Sequence, residues 1–257
     1  MSITLLESFR KSHWRWTAST LGTIALAAIL WFLVRRDSFS HRIYRDSAGS
    51  EFSYQVFIPA DFTRDREWPV ILFLHGVGQS GFDGKAQTGP GLGEAICRRK
   101  KSFPFIAVFP QSISRTWEAD SPDARRALAI LDEVSREFNV DRHRVYLTGF
   151  SMGGGGTWSL AHAYPDRWAA IAPVCGYGNP EWAPRLKSIP CWCFHGARDQ
   201  AVSVGHSRQM VMAIQAEGDT PRYSEFSNLG HDWKCAYEND ELYDWLLTKR
   251  RRPTKQR

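Results

Sequence analysis

Apolar residues along the chain fall into short runs separated by stretches of helical period. Residues 52–58 alternate between apolar and polar and stop at Pro59, which predicts a half-buried strand. Residues 70–74 and 105–109 are continuous apolar runs, the mark of strands covered on both faces. Further strands are expected over 144–148, 168–174, 191–194 and 222–226. Apolar positions at 127, 128, 130, 131 and 134 predict a helix over 124–138. Helices are also expected over 152–164, over 203–216 with Ser203 as N-cap, and over 241–247. Strands alternating with helices imply the α/β class, with a mostly parallel central sheet and helices on both faces. Ligand sites on such sheets lie at the carboxyl ends of the strands.

One apolar run does not belong to that pattern. Residues 17–34 carry no charge and are nearly all apolar from Leu21 onward. Eighteen residues of helix span about 27 Å, close to the hydrocarbon thickness of a bilayer. Trp14, Trp16 and Trp31 stand near its ends, where indoles favour the interface. The run closes with Phe32-Leu33-Val34 and passes straight into Arg35-Arg36, without the small residues of a cleavage site, so an uncleaved N-terminal hydrophobic helix is expected. A cleaved signal, giving a secreted or periplasmic protein, and a buried helix are the other readings. The division expected is 1–36 membrane anchor or signal segment, 37–49 polar linker, 50–248 folded domain and 249–257 basic tail.

Charge sharpens this division. The net charge is +6, but the first 45 residues hold seven Lys/Arg against two acids, and residues 249–257 hold six unopposed basic residues. The body between them is net acidic. A nucleic-acid partner would need a basic face within the fold, so none is expected. The tails suit anionic headgroups or simple solvation. Basic residues flank the apolar run on both sides and leave its orientation undefined. Five cysteines cannot all pair with one another; Cys191 and Cys193 share one face of an expected strand and read as core groups rather than metal ligands.

The chemistry centres on Gly149-Phe150-Ser151-Met152-Gly153, which follows a strand and opens a helix. In a nucleophile elbow the serine sits on a tight strand-to-helix turn, and the positions two before and two after must be small. The run Gly153-Gly154-Gly155-Gly156 lacks the lysine of a phosphate loop, which argues against nucleotide binding. A serine nucleophile needs a base, and the base an orienting acid; where the serine sits on a nucleophile elbow of an α/β sheet, these follow it in the chain order Asp/Glu, then His. His231 lies in a turn after the strand 222–226 and is the candidate base, whereas His195 and His206 have ordinary structural uses. Asp199 leaves the strand 191–194 through His195-Gly196-Ala197-Arg198 and is the candidate acid; Asp232, next to the histidine, is less suited to reach its ring. An oxyanion hole takes the backbone N–H of Met152 and one from the loop His75-Gly76-Val77-Gly78, assigned to Val77 with Gly78 as fallback. His75 is then a structural hydrogen-bonder of that loop.

These stretches resemble a known group. Phe73-Leu74-His75-Gly76-Val77-Gly78-Gln79-Ser80-Gly81, Val145 to Gly154, Phe194 to Asp199 and Gly230-His231-Asp232 are similar to motifs of the α/β-hydrolase superfamily. Within it the chain resembles bacterial phospholipase/carboxylesterase and prolyl-oligopeptidase-like esterases, including the polyhydroxybutyrate-depolymerase-like set. The resemblance implies an α/β-hydrolase fold and Ser151, Asp199 and His231 as catalytic residues. It places the oxyanion donors at Val77 and Met152, and Trp117 near the acyl pocket. A serine carboxylic-ester hydrolase acting on a small-molecule or lipid-like ester is the expectation, with no cofactor, no metal and no obligate protein partner. A serine peptidase or aminoacyl hydrolase, and a non-catalytic binding protein on the same fold, are the alternatives.

Overall fold

The computed structural model describes residues 39–251. Among them the chain runs β1 (Phe39–Arg45), β2 (Glu51–Phe57), β3 (Trp68–Leu74), α1 (Leu92–Arg99), β4 (Ile106–Phe109), α2 (Pro122–Glu137), β5 (Val140–Phe150), α3 (Met152–Ala163), β6 (Ala170–Val174), α4 (Ala183–Leu186), β7 (Trp192–Gly196), α5 (Val204–Ala216), β8 (Arg222–Phe226), α6 (Lys234–Tyr237) and α7 (Asp240–Leu247). The strands form one eight-stranded sheet in the order β1-β2-β4-β3-β5-β6-β7-β8. β2 is antiparallel to β4, and from β4 to β8 every neighbouring pair is parallel.

The expected mixed α/β architecture is therefore present, and its cause is visible in the burial. β3, β4 and β6 are buried at every position, as continuous apolar runs in a two-sided sheet must be. α2 starts at Ser121, whose side chain accepts from the Ala124 N–H, with Pro122 in the first turn. It turns Ala127, Leu128, Leu131 and Val134 into the core. Central α3 buries ten of its residues, four of them glycines, and so lies close against the sheet.

Three differences from the sequence reading have physical reasons. The segment 37–49 is not a linker throughout: Phe39–Arg45 is the edge strand β1. Its outward residues His41, Ile43 and Arg45 are exposed, and its inner face is covered only in part, by Tyr44 on the core and an Arg42–Glu137 ion pair of 3.0 Å. β5 begins at Val140, earlier than its apolar run. Its register against β3 jumps between Trp68 and Val70, which absorbs the charged residues 141–144. The basic tail starts out anchored: the Tyr146 hydroxyl donates to the Lys249 carbonyl, the Arg251 N–H to the His143 carbonyl, and Arg250 pairs with Asp141.

The expected hydrophobic helix over residues 17–34 lies outside the described residues, as do residues 252–257. Among the described residues no helix is long and apolar enough to cross a membrane.

Candidate active site

Ser151 stands between the end of β5 and the start of α3 with φ 59° and ψ −118°. A non-glycine residue in that region costs about 1–3 kcal/mol and persists only where its surroundings impose it. They do so here. The Ser151 N–H donates to the Val174 carbonyl at 2.9 Å, and its carbonyl accepts from Gly155 at 3.0 Å. The turn is so tight that a Cβ on Gly149 would lie 2.2 Å from the Gly153 carbonyl oxygen, and one on Gly153 would lie 1.8 Å from the Leu74 carbonyl oxygen. The small residues two before and two after the serine are thus a steric requirement of this fold.

Asp199 and His231 are brought together by the exits of β7 and β8. Ala197 donates to the Phe226 carbonyl and Arg198 to the Leu229 carbonyl, both at 2.9 Å. This zips the two loops side by side, and Gly196 lets the Leu229–Gly230 backbone pass where a Cβ would meet the Gly230 carbonyl at 2.1 Å. The Asp199 side chain is fully buried, and its Oδ2 lies 2.6 Å from His231 Nδ1. Its Oδ1 accepts from the N–H groups of Ala201 and Val202 at 2.8 and 2.9 Å. Burial disfavours the carboxylate, but hydrogen bonds from His231, Val202 and Ala201 outweigh it, and the acid lies below its ordinary range. His231 keeps 23% of its side chain exposed, and its ring packs on Phe150 with centroids 4.6 Å apart. Phe150 immediately precedes Ser151, so His231 rests on the strand that carries Ser151. Asp232 is occupied elsewhere, accepting from the Lys234 N–H at the start of α6.

Met152 is the first residue of α3, so its N–H has no acceptor within the helix. Val77 opens a 3₁₀ turn, Val77–Gln79, after β3 and is 40% exposed. The loop is held by His75, which is fully buried. Its Nδ1 faces the Gly76 carbonyl at 2.7 Å and its Nε2 accepts from the Ser112 N–H at 2.9 Å. Burial keeps this imidazole neutral, with a pKa lowered to about 4, in keeping with the structural part expected for it.

Trp117 differs from expectation. It is 1% exposed, its indole N–H donates to the His75 carbonyl at 2.9 Å, and its Cβ fills the space beside Gly156. It supports the loop from beneath and has no surface left for a substrate. Sequence reasoning also missed Phe150 as the floor under His231. Its position next to the serine was the available signal.

Cys175, His195 and Asp199 place three potential ligand atoms within 4.8 Å of one another. Both Asp199 oxygens are already engaged, and His195 Nε2 faces the Val202 carbonyl at 3.0 Å, so the set is built for hydrogen bonding.

The chain is 27% identical over 210 residues to a bifunctional acetylxylan esterase/xylanase of Neocallimastix patriciarum, covering 79% of this chain and 29% of that protein. It is 30% identical over 160 residues to cutinase est1 of Thermobifida alba, covering 59% and 51% of the two chains. Each of these curated relatives is thus much longer than the part this chain spans. A solved structure of a thermostable esterase superposes with a TM-score of 0.76 at 30% identity, over 84% of this chain and 64% of that one. An acylaminoacyl peptidase of Pyrococcus horikoshii, at 15% identity and a TM-score of 0.65, shares the fold. A family model described as a putative esterase matches residues 46–228. The chain belongs to this esterase family of the α/β-hydrolase superfamily.

Proposed function

We propose that the chain is a carboxylic-ester hydrolase that works through an acyl-enzyme on Ser151. The observation that carries the reading is the 2.6 Å contact between Asp199 and His231 Nδ1, on loops tied to each other beside the strained serine turn. An ionised carboxylate only accepts, so Nδ1 holds the proton and Nε2 is left as the base. His231 takes the Ser151 proton as Oγ attacks the acyl carbonyl, and Asp199 stabilises the imidazolium. The N–H groups of Val77 and Met152 receive the developing oxyanion. His231 then protonates the leaving alkoxide, and a water, deprotonated by the same ring, releases the acid. The relatives' names add ester chemistry as the substrate class.

The test is labelling with a fluorophosphonate probe together with turnover of p-nitrophenyl acetate. Wild-type protein is expected to label at Ser151, while Ser151→Ala fails to label and loses at least about 10³-fold in kcat. Folded wild type that stays unlabelled, or equal labelling of the alanine variant, sinks the proposal. Faster turnover of aminoacyl amides than of matched esters turns the assignment to a peptidase.

The proposal includes attachment to a bilayer through residues 17–34, supported by their length and lack of charge. The full chain is expected to stay in the membrane pellet after carbonate extraction, and a chain starting at residue 37 to stay in the supernatant. A mature N-terminus found beyond residue 34 overturns the anchor.

A further inference from the structure

We infer that His195 is a positioning residue that fixes the Asp199 carboxylate for His231 through its Nε2–H; this rests on the triad proposed above. His195 is the penultimate residue of β7 and its side chain is fully buried. Its Nε2 lies 3.2 Å from Asp199 Oδ2, the same oxygen that meets His231 Nδ1 at 2.6 Å. One carboxylate oxygen therefore stands between two imidazoles.

The partners of His195 decide its tautomer. Nε2 has two neighbours, the Val202 carbonyl at 3.0 Å and Asp199 Oδ2, and both only accept. A lone pair facing two acceptors would be repelled by both, so Nε2 carries the hydrogen and shares it between them. On the other side Nδ1 meets the Ser207 hydroxyl of α5 at 2.7 Å and accepts from it. The ring is thus gripped at both nitrogens, one end by a helix and the other by the acid loop. Burial holds it neutral, with the nearby Asp199 pulling the other way. Its remaining titratable surroundings are His231, the Glu225 carboxylate on β8 and the Cys175 thiol after β6.

This arrangement completes the hydrogen bonding of Asp199. Two backbone N–H groups hold Oδ1, and two imidazole N–H groups hold Oδ2. Without His195 the Oδ1 bonds still tether the residue, but Oδ2 loses one of its donors. It can then rotate out of line with Nδ1, and it becomes more basic. The first effect slows the reaction. The second strengthens its hold on the His231 imidazolium and moves the acid limb of the rate to higher pH. Neither effect involves contact with substrate.

The experiment compares wild type with His195→Phe, His195→Gln and Ser207→Ala in p-nitrophenyl acetate turnover from pH 5 to 9. Folding is checked by circular dichroism. Gln can return an N–H to the place of Nε2. His195→Phe is expected to lower kcat about tenfold with KM within twofold, and to move the acid limb of kcat/KM upward. His195→Gln is expected to recover most of both, and Ser207→Ala to fall between. In an Asp199→Asn background, His195→Phe is expected to have no further effect on kcat. A folded His195→Phe with kcat within twofold and an unmoved acid limb overturns the role. So does additivity with Asp199→Asn. If the phenylalanine variant does not fold, the limb in His195→Gln and Ser207→Ala decides: a fall in kcat with no upward movement in either overturns it. Loss of fluorophosphonate labelling in wild type would instead refute the triad itself, so the two failures are told apart.

Discussion

Asparagine at position 199 is expected to lower kcat by about 10³–10⁴-fold while leaving KM within a fewfold and the fold intact. The Asp199 side chain is fully buried behind His231, and in the proposed mechanism it touches no substrate, so ground-state binding has no reason to change. Its side chain Oδ1 would still accept from Ala201 and Val202, so the loop keeps its shape. What changes is the group facing His231. A carboxylate requires the imidazole proton on Nδ1, whereas an amide N–H donates to Nδ1 and moves that proton to Nε2, where it blocks the serine. The same amide N–H would also point at the Nε2–H of His195. Two donors facing each other in a buried site cost about 1–3 kcal/mol of stability. Steady-state kinetics and urea unfolding measure the two effects separately; a kcat within tenfold of wild type would remove Asp199 from the mechanism. The pH dependence follows from the same contacts. Asp199 is held below its ordinary range, so its charge and the stability it confers are fully present above the ordinary Asp pKa. They are lost only as pH falls through the lower folded value. Any loss of activity between about pH 5 and 7 therefore comes from another group.

Gly153→Ala is expected to abolish folding or to lower stability by more than about 4 kcal/mol, beyond the range of ordinary substitutions. The added Cβ would sit 1.8 Å from the carbonyl oxygen and 2.4 Å from the carbonyl carbon of Leu74. Neither can yield cheaply: Leu74 ends a central strand paired on both sides, and Gly153 is in the first turn of a buried helix. Gly78→Ala is the control for stability, because nothing lies within 4 Å of its added Cβ. It is expected to stay within about 1 kcal/mol. Thermal unfolding followed by circular dichroism gives both values, and a well-folded Gly153→Ala with a melting temperature near wild type would contradict the steric account.

Most of the sheet was legible because its strands are buried on both faces. Continuous apolar runs such as those of β3 and β4 have few other uses. The edge was not, since β1 is covered on only part of one face and reads as polar chain. α1 escaped because only Leu92, Gly93, Ala95 and Ile96 of its eight residues are buried, too few to set a period. At the site, Ser151, Asp199 and His231 could be chosen from chain order and strand-end placement, both local properties. The surroundings that hold them could not. Trp117 and His195 take their parts from tertiary packing, the first against the His75 carbonyl and the second against Asp199. A sequence shows no distance between residues 75 and 117.

The interlock of Gly149, Gly153 and Leu74 also bears on how the protein responds to heat. The backbone of the Ser151 turn lies against the end of β3, the strand that leads directly into the loop of His75 and Val77. Ser151 and the Val77 loop are therefore mounted on one block, which cannot shear without breaking the central strands. Local fraying of an edge such as β1 leaves their spacing untouched. Heat inactivation should then coincide with global melting of the sheet, without an earlier, separate loss of the site.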